Sequence, residues 1–354
     1  MAPGRMASGH TAAGRDLTAD PIRWGVIGPG NIADGVIGDL ALLEEGTLHA
    51  AASRSLDRAK DFAARHGAQV AYGSYADLLA DDDVEVVYIA TPHRQHHGIA
   101  LAAIEAGKHL LVEKAFTCTL AGTIEVAEAA RERGVFVMEA MWTRFQPAVV
   151  RLRELIADGA IGEVRNVQAD LGLQVDFDPT HRLWDPAQGG GTLLDLGVYP
   201  VAWVQMILGG RPARLETSGT LGPNDLDAEA TLLWEAPDGR QGTATTSLLS
   251  PLPGRAAIFG TLGWLEVPPR FHHPDRILLH RATEGWSTDE TEEIVLPATG
   301  TGYSHELDEV HRCLAEGRTQ SPVMPLQDTV AVMGVLEQAL HSLGVYHDED
   351  PSPI

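Results

Sequence analysis

Three side chains in this 354-residue chain are suited to moving a proton at a carbon that bears a hydroxyl: Lys114, Asp195 and Tyr199. Oxidising an alcohol needs a base for the hydroxyl proton while a hydride leaves carbon. Reducing a carbonyl needs the same group as an acid. Lys114 follows the apolar run Leu110 to Glu113, which reads as a buried strand. It should therefore emerge at the carboxyl end of a sheet, where ligands bind in open α/β folds. Partial loss of solvent there would lower its pKa. Asp195 and Tyr199 stand four residues apart and share one face of a helix expected from Thr192 to Leu208. Gly189 to Gly191 precede that helix and let a substrate approach the backbone. A tyrosine titrates near about 10 when unperturbed. A neighbouring Lys114 ammonium would favour the phenolate. The reading is Tyr199 as proton donor or acceptor, Lys114 tuning and orienting it, and Asp195 holding a substrate hydroxyl. Exchanging the roles of Lys114 and Tyr199 fits the same residues.

A hydride also needs a carrier. Residues Ile22 to Gly28 read as a short buried strand that runs into Gly28-Pro29-Gly30-Asn31-Ile32-Ala33. This is G-x-G-x-x-A at a strand-to-helix turn, a dinucleotide fingerprint. Gly28 permits the turn, Gly30 leaves room for a pyrophosphate, and Ala33 keeps the helix close to the sheet. The phosphates would rest on the helix N-terminus around Asn31 and Ile32. The second strand, Leu48 to Ser53, ends in Ser53-Arg54-Ser55, with Arg58 one helical turn later. An NAD site would carry a carboxylate there. A hydroxyl and guanidinium groups suit a 2′-phosphate instead. The sequence predicts NADP(H) in preference to NAD(H), with NAD(H) as the second choice.

These residues need two kinds of scaffold. From Ile22 to about Phe145, short apolar strands alternate with helices, including one from Gly98 to Ala106. That alternation implies a parallel sheet covered on both faces. After it come a helix from Gln146 to Asp158 and longer strand-like runs, among them Ala256 to Val267, separated by Pro and Gly turns. The fold class is α/β: a Rossmann unit with a doubly wound parallel sheet over 22–145, then an α/β unit on an open, mainly antiparallel sheet over 146–354. Residues 1–21 read as a flexible extension without the apolar core of a secretory signal. Residues 347–354 read as a frayed end. Lys plus Arg number 26 against 49 Asp plus Glu, a net charge of −23. Duplex nucleic acid and anionic membranes need excess positive charge, so neither is expected as a partner. Two cysteines, Cys118 and Cys313, supply neither a disulfide framework nor a four-thiolate zinc site. A reducing, cytoplasmic setting is expected. The His96-His97 and His272-His273 pairs have no companion cluster, so no metal is expected.

Four further segments line up: Ala90-Thr91-Pro92-His93-Arg94-Gln95-His96, Ala106 to Ala115, Glu139 to Phe145, and Gly189 to Tyr199. With the glycine turn, these five ordered motifs resemble the Gfo/Idh/MocA oxidoreductases, nearest the glucose–fructose oxidoreductase, dihydrodiol dehydrogenase and D-xylose dehydrogenase branch. The resemblance covers nearly all of residues 22–345. It implies hydride transfer between nicotinamide and a CH–OH carbon of a sugar, polyol or trans-dihydrodiol. It also implies a homodimer or homotetramer built through the C-terminal sheet. It sets Thr91, Pro92, His93, His96, Glu113 and Lys114 beside the cofactor. The family's Glu-Lys-Pro reads Glu113-Lys114-Ala115 here, and its Thr-Pro-Asn reads Thr91-Pro92-His93. Tyr199 stands where many members carry His. Trp142, Arg144 and Phe145 fall at the junction between the two units and are expected in a substrate pocket. His181, Arg182 and Trp184 are expected in a loop over the site, with Arg182 on the substrate. Two other functions fit the motifs: a sugar–sugar oxidoreductase that keeps NADP bound, and a dinucleotide-binding regulator without catalysis.

Overall fold

Strands that are apolar on both faces must be covered on both faces, and the first half of the chain follows this rule. The computed structural model describes residues 20–282 and 290–351. Residues 1–19 of the extension expected at 1–21, and the last three residues, lie outside them. The order opens β1 (Ile22–Ile27), α1 (Asn31–Leu40), β2 (Gly46–Ala52), α2 (Leu56–His66), β3 (Val70–Tyr72), α3 (Tyr75–Leu79) and β4 (Val86–Ile89). It continues α4 (His93–Glu105), β5 (His109–Glu113), α5 (Leu120–Arg133) and β6 (Val137–Ala140). The six strands pair in the order β3-β2-β1-β4-β5-β6, all parallel. The order reverses between β1 and β4, so their carboxyl ends flank the crevice where a ligand binds in such sheets.

A 3₁₀ turn, Trp142–Phe145, leads into α6 (Pro147–Ala157) and β7 (Val164–Gly172). Then come α7 (Val198–Leu208), β8 (Arg214–Leu221), β9 (Asp227–Glu235), β10 (Gln241–Ser247), β11 (Ala256–Gly260), β12 (Gly263–Val267), β13 (Arg276–Arg281) and β14 (Glu290–Val295). Helices α8 (Ser304–Ala315) and α9 (Leu326–Ser342) close the chain. The second sheet has eight strands in the order β14-β13-β12-β11-β7-β10-β9-β8. Among the described residues of this sheet only β7 with β10 is parallel. Burial alternates along β9 and β10, with one face on α7 and the core. Helix α9 crosses back to pack on α5 and β6, and α8 packs on α1. The segment Pro186–Leu208 is long and apolar enough to cross a membrane, but 83% of its most apolar window is buried within the fold.

Four expectations need correction. The run Ala256 to Val267 is a hairpin rather than one strand, turning at Thr261-Leu262. Gly260 and Gly263 flank the turn because a Cβ on either would overlap the carbonyl of Ile161 or of His280. Helix α4 starts at His93, directly after Pro92, five residues before Gly98. That places His93 and His96 in its first turns. The helix expected from Thr192 opens with a π-turn, Leu193–Gly197, before α7.

The tail after Tyr346 is docked as far as Asp350, not frayed. Arg94 Nε donates to Asp348 O at 2.8 Å, and Asp350 N donates to Arg94 O at 2.7 Å. Glu349 Oε1 accepts the backbone N–H groups of Cys118 and Thr119 at 3.0 and 2.8 Å, capping the start of α5. Net hydrogen bonds are worth about 1 kcal/mol each. Truncation after Tyr346 should therefore lower the Tm by roughly 5 °C or more in calorimetry. An unchanged Tm would show that the tail is not docked in solution.

Candidate active site

The crevice at the carboxyl edge of the first sheet is a cleft of about 660 Å³. Gly30, Asn31 and Ile32 line it from the glycine turn, and Thr91, Pro92 and His93 from the β4–α4 junction. Glu113 and Lys114 enter from the end of β5, and Arg58 from α2. Arg182, Gln188, Gly189, Asp195 and Tyr199 close the far wall. Residues of both halves of the chain thus meet in one cavity.

The glycine turn fits a dinucleotide. Gly28 has φ +87°, and a Cβ there would sit 2.8 Å from the Ala90 carbonyl, so no other residue suits the turn. At Gly30 a Cβ would meet nothing nearer than 4.0 Å, which leaves an open cradle at the N-terminus of α1. Among the described residues no side chain caps that terminus, which leaves its N–H groups to a phosphate. Ser53 is buried and its Oγ accepts the Ser55 N–H. Arg58 lines the cleft, and Arg54, beside the Tyr75 phenol, is exposed as Arg58 is.

The proton-moving groups form one network. Lys114 Nζ donates to Asp195 O at 2.7 Å and lies 3.7 Å from Asp195 Oδ1. Arg182 Nη1 donates to the same Oδ1 at 2.7 Å. Burial alone would raise the Asp195 pKa, but the Lys114 and Arg182 cations outweigh it and hold the carboxyl well below the usual range. Asp195 is therefore ionised. Tyr199 OH accepts from Trp142 Nε1 at 3.2 Å, and Lys114 Nζ sits 4.8 Å from the centroid of the Tyr199 ring. Burial, and then the nearby Glu113 carboxyl, push the Tyr199 phenol well above its ordinary value. This corrects the expected phenolate. Lys114 is placed over the ring face, and Tyr199 is a neutral phenol.

Behind these groups, Tyr88 OH donates to Glu113 Oε1 at 2.5 Å, and burial raises the Glu113 pKa. His93 Nδ1 lies 2.9 Å from Gly189 O. Burial lowers the His93 pKa to about 3, so the ring is neutral, and bonding that carbonyl requires its proton on Nδ1. His96 is fully buried between Ala115 O at 3.0 Å and Thr91 O at 2.7 Å. It thereby ties the start of α4 to the Lys114 segment, where the Lys114–Ala115 peptide is cis.

The structure redirects part of the expected substrate pocket. Arg144 is 3% exposed, and its guanidinium donates to Asp328 Oδ2 at 2.6 Å, Gln205 Oε1 at 2.5 Å and Val323 O at 3.2 Å. Phe145 is buried in the core. Neither lines the cleft, because both are consumed in joining the two halves of the chain. Trp142 lies behind Tyr199 instead of in the cleft. It stacks on Tyr303, at 4.2 Å and 16°, and on His273, at 5.1 Å and 30°. Of the expected loop residues His181, Arg182 and Trp184, Arg182 alone lines the cleft. Trp184 is buried, its Nε1 bonded to Asp176 O at 3.1 Å. Sequence reasoning missed Gln188 as a wall residue and Asp227 behind the wall. Asp227 is buried and accepts Leu193 N–H at 2.6 Å, fixing the start of the π-turn. Gly191 faces it at φ +109°, where a Cβ would overlap Asp227 Oδ1. The widened π-turn carries Asp195, and Tyr199 follows it in the first turn of α7, both on the cleft wall. Such turns recur at functional sites.

A Rossmann crevice with a free helix N-terminus and a Lys–Asp–Tyr network defines a dinucleotide-dependent oxidoreductase. Residues 22–141 match the oxidoreductase family with an NAD-binding Rossmann fold, and residues 149–266 match the Gfo/Idh/MocA C-terminal domain. The chain belongs to the Gfo/Idh/MocA family. The trans-1,2-dihydrobenzene-1,2-diol dehydrogenase of Bos taurus is 35% identical over 341 residues, spanning 93% of this chain and 99% of that protein. The enzyme of the same name from Xenopus tropicalis is 33% identical over 326 residues, spanning 91% and 98%. A 3-ketoreductase from Actinomadura kijaniata, solved with NADP and TDP-benzene, is 27% identical with a TM-score of 0.79, covering 94% of this chain and all of that one.

Trp142→Phe keeps the stack and removes the hydrogen bond to Tyr199. It should lower kcat about 10-fold and leave dinucleotide affinity unchanged. A raised KM at unchanged kcat would instead place Trp142 on the substrate.

Proposed function

We propose that this chain is a cytoplasmic dehydrogenase or reductase that prefers NADP(H) and acts on a CH–OH carbon of a sugar, polyol or trans-dihydrodiol. The observation that carries the reading is the single cleft in which the free N-terminus of α1 faces Lys114, Asp195 and Tyr199. NADP(H), when bound, supplies or accepts the hydride. The remaining work falls to this chain. In the reducing direction the neutral Tyr199 phenol donates its proton to the carbonyl oxygen. The Trp142 N–H on its oxygen and the Lys114 ammonium over its ring stabilise the negative charge that develops there. Ionised Asp195 accepts a hydrogen bond from a neighbouring substrate hydroxyl. Arg182 and Lys114 hold that carboxylate in place. In the oxidising direction the same proton returns to Tyr199.

The substrate class is supported by the names of the relatives, a trans-1,2-dihydrobenzene-1,2-diol dehydrogenase and a 3-ketoreductase solved with NADP and TDP-benzene. The preference for NADP(H) is supported by Arg58 on the cleft, by exposed Arg54 four residues before it, and by the absence of a carboxylate from Ser53 to Ser55. Both cysteines are free and buried, which suits a reducing compartment. The outer face of the second sheet exposes Leu233 and part-exposes Phe259 and Trp264. These side chains, set among Gln168, Thr243, Thr245 and Glu266 on that face, support assembly of a homodimer or homotetramer.

Three experiments test this reading. Aldoses, inositols and cyclic diols offered with NADP and with NAD, followed by the absorbance of reduced nicotinamide, should show turnover on at least one class and preference for NADP. Tyr199→Phe should cost at least about 100-fold in kcat with dinucleotide binding intact. Unchanged turnover would remove Tyr199 from the chemistry. The double variant Arg54→Ala/Arg58→Ala should weaken NADPH binding at least about 10-fold and leave NADH binding unchanged. Equal weakening of both would remove the 2′-phosphate contact.

A further inference from the structure

The dinucleotide cradle and the proton donor belong to different sheets, so something must fix the distance between them. Helix α1 begins at the cradle and ends on the second half of the chain. Asp39, in its last turn, is 3% exposed. Its carboxylate accepts the N–H groups of Thr301 at 2.9 and 3.0 Å, Tyr303 at 2.8 Å and Ser304 at 3.1 Å. These are donors that the start of α8 cannot satisfy within its own helix. A carboxylate there also meets the positive end of the helix dipole. One turn earlier on the same face, a Cβ at Gly35 would sit 3.1 Å from Tyr303 Cε2, so the glycine seats the Tyr303 ring against α1. Tyr303 then lies flat on Trp142 at 4.2 Å, and Trp142 Nε1 holds the Tyr199 oxygen at 3.2 Å. From Asn31 to Asp39 the helix spans about 12 Å at 1.5 Å per residue.

We propose that α1 is a strut that sets the Tyr199 hydroxyl relative to the bound dinucleotide, with Asp39 as a positioning residue that acts through Tyr303 and Trp142. The inference rests on the reading of Tyr199 as proton donor. Each link is a packed or hydrogen-bonded contact. The hydrogen bonds at Asp39 lock the α8 start against α1, the stack transmits that position to Trp142, and the indole N–H transmits it to Tyr199. A misplacement of 1 Å can cost on the order of 100-fold in rate, so a strut of this kind acts on the chemical step. A clamp that only stabilises the fold would act on the Tm alone.

The test compares Asp39→Asn and Tyr303→Leu, singly and combined, with Tyr199→Phe as reference. Single-turnover hydride transfer should fall about 10-fold in each single variant, with dinucleotide affinity unchanged within about 2-fold. The combined variant should lose little more than the worse single variant, because both changes break one path. Losses that multiply, or a lowered Tm with unchanged hydride transfer, would overturn the strut. Tyr303→Leu leaves the Asp39 hydrogen bonds in place, so it tests the same path even where Asp39→Asn is unstable. Loss of rate in Tyr199→Phe with full rate in the other variants overturns the strut alone. Full rate in Tyr199→Phe overturns the proton-donor reading and the strut together.

Discussion

The structure turns on one buried carboxylate. Asp195 is 5% exposed and ionised, a state that burial opposes and that only adjacent cations can support. Lys114 reaches it from the end of β5, and Arg182 from the loop before the π-turn. The two cations come from opposite halves of the chain, so satisfying Asp195 brings the halves together at the cleft. The Lys114 side chain is the more buried partner, and removing one partner of a buried pair typically costs about 3–5 kcal/mol. The same geometry sets Lys114 over the Tyr199 ring instead of beside its hydroxyl. Burial and the Glu113 carboxyl keep the phenol protonated, while its conjugate base is still stabilised from the ring face.

The chain carries a net charge of −23, yet Arg58, Lys114 and Arg182 converge on one cleft. The uncapped N-terminus of α1 adds partial positive charge without any further basic residue. An acidic protein can therefore hold a polyanionic cofactor, because the field that matters acts over a few ångströms in a partly enclosed site. The acidic excess belongs to the outer surface and says little about what the cleft binds.

Much of this was legible in the sequence, for local reasons. The glycine turn, the parallel strands, Lys114, Asp195 and Tyr199 are read from spacing within short segments, and all fall where spacing puts them. What was not legible depends on partners distant in sequence. Arg144 looks like a substrate ligand until its acceptors appear, 61 and 184 positions away at Gln205 and Asp328. Trp142 looks like a stacking platform until Tyr199, 57 positions on, takes its N–H. Periodicity identifies a helix near Thr192 but cannot show a π-turn, because that depends on Asp227 capping its start from another strand. The docked tail is invisible for the same reason, since Arg94 and Thr119 lie more than two hundred residues before it.

The central claim is that a neutral Tyr199 phenol donates the proton while Asp195 stays ionised throughout. The most direct measurement is single-turnover carbonyl reduction by NADPH as a function of pH. Both groups hold one protonation state across the working range, so the rate should be flat from about pH 6 to about pH 9. A rate that falls through an apparent pKa near about 7 would contradict the account and assign the proton to another group.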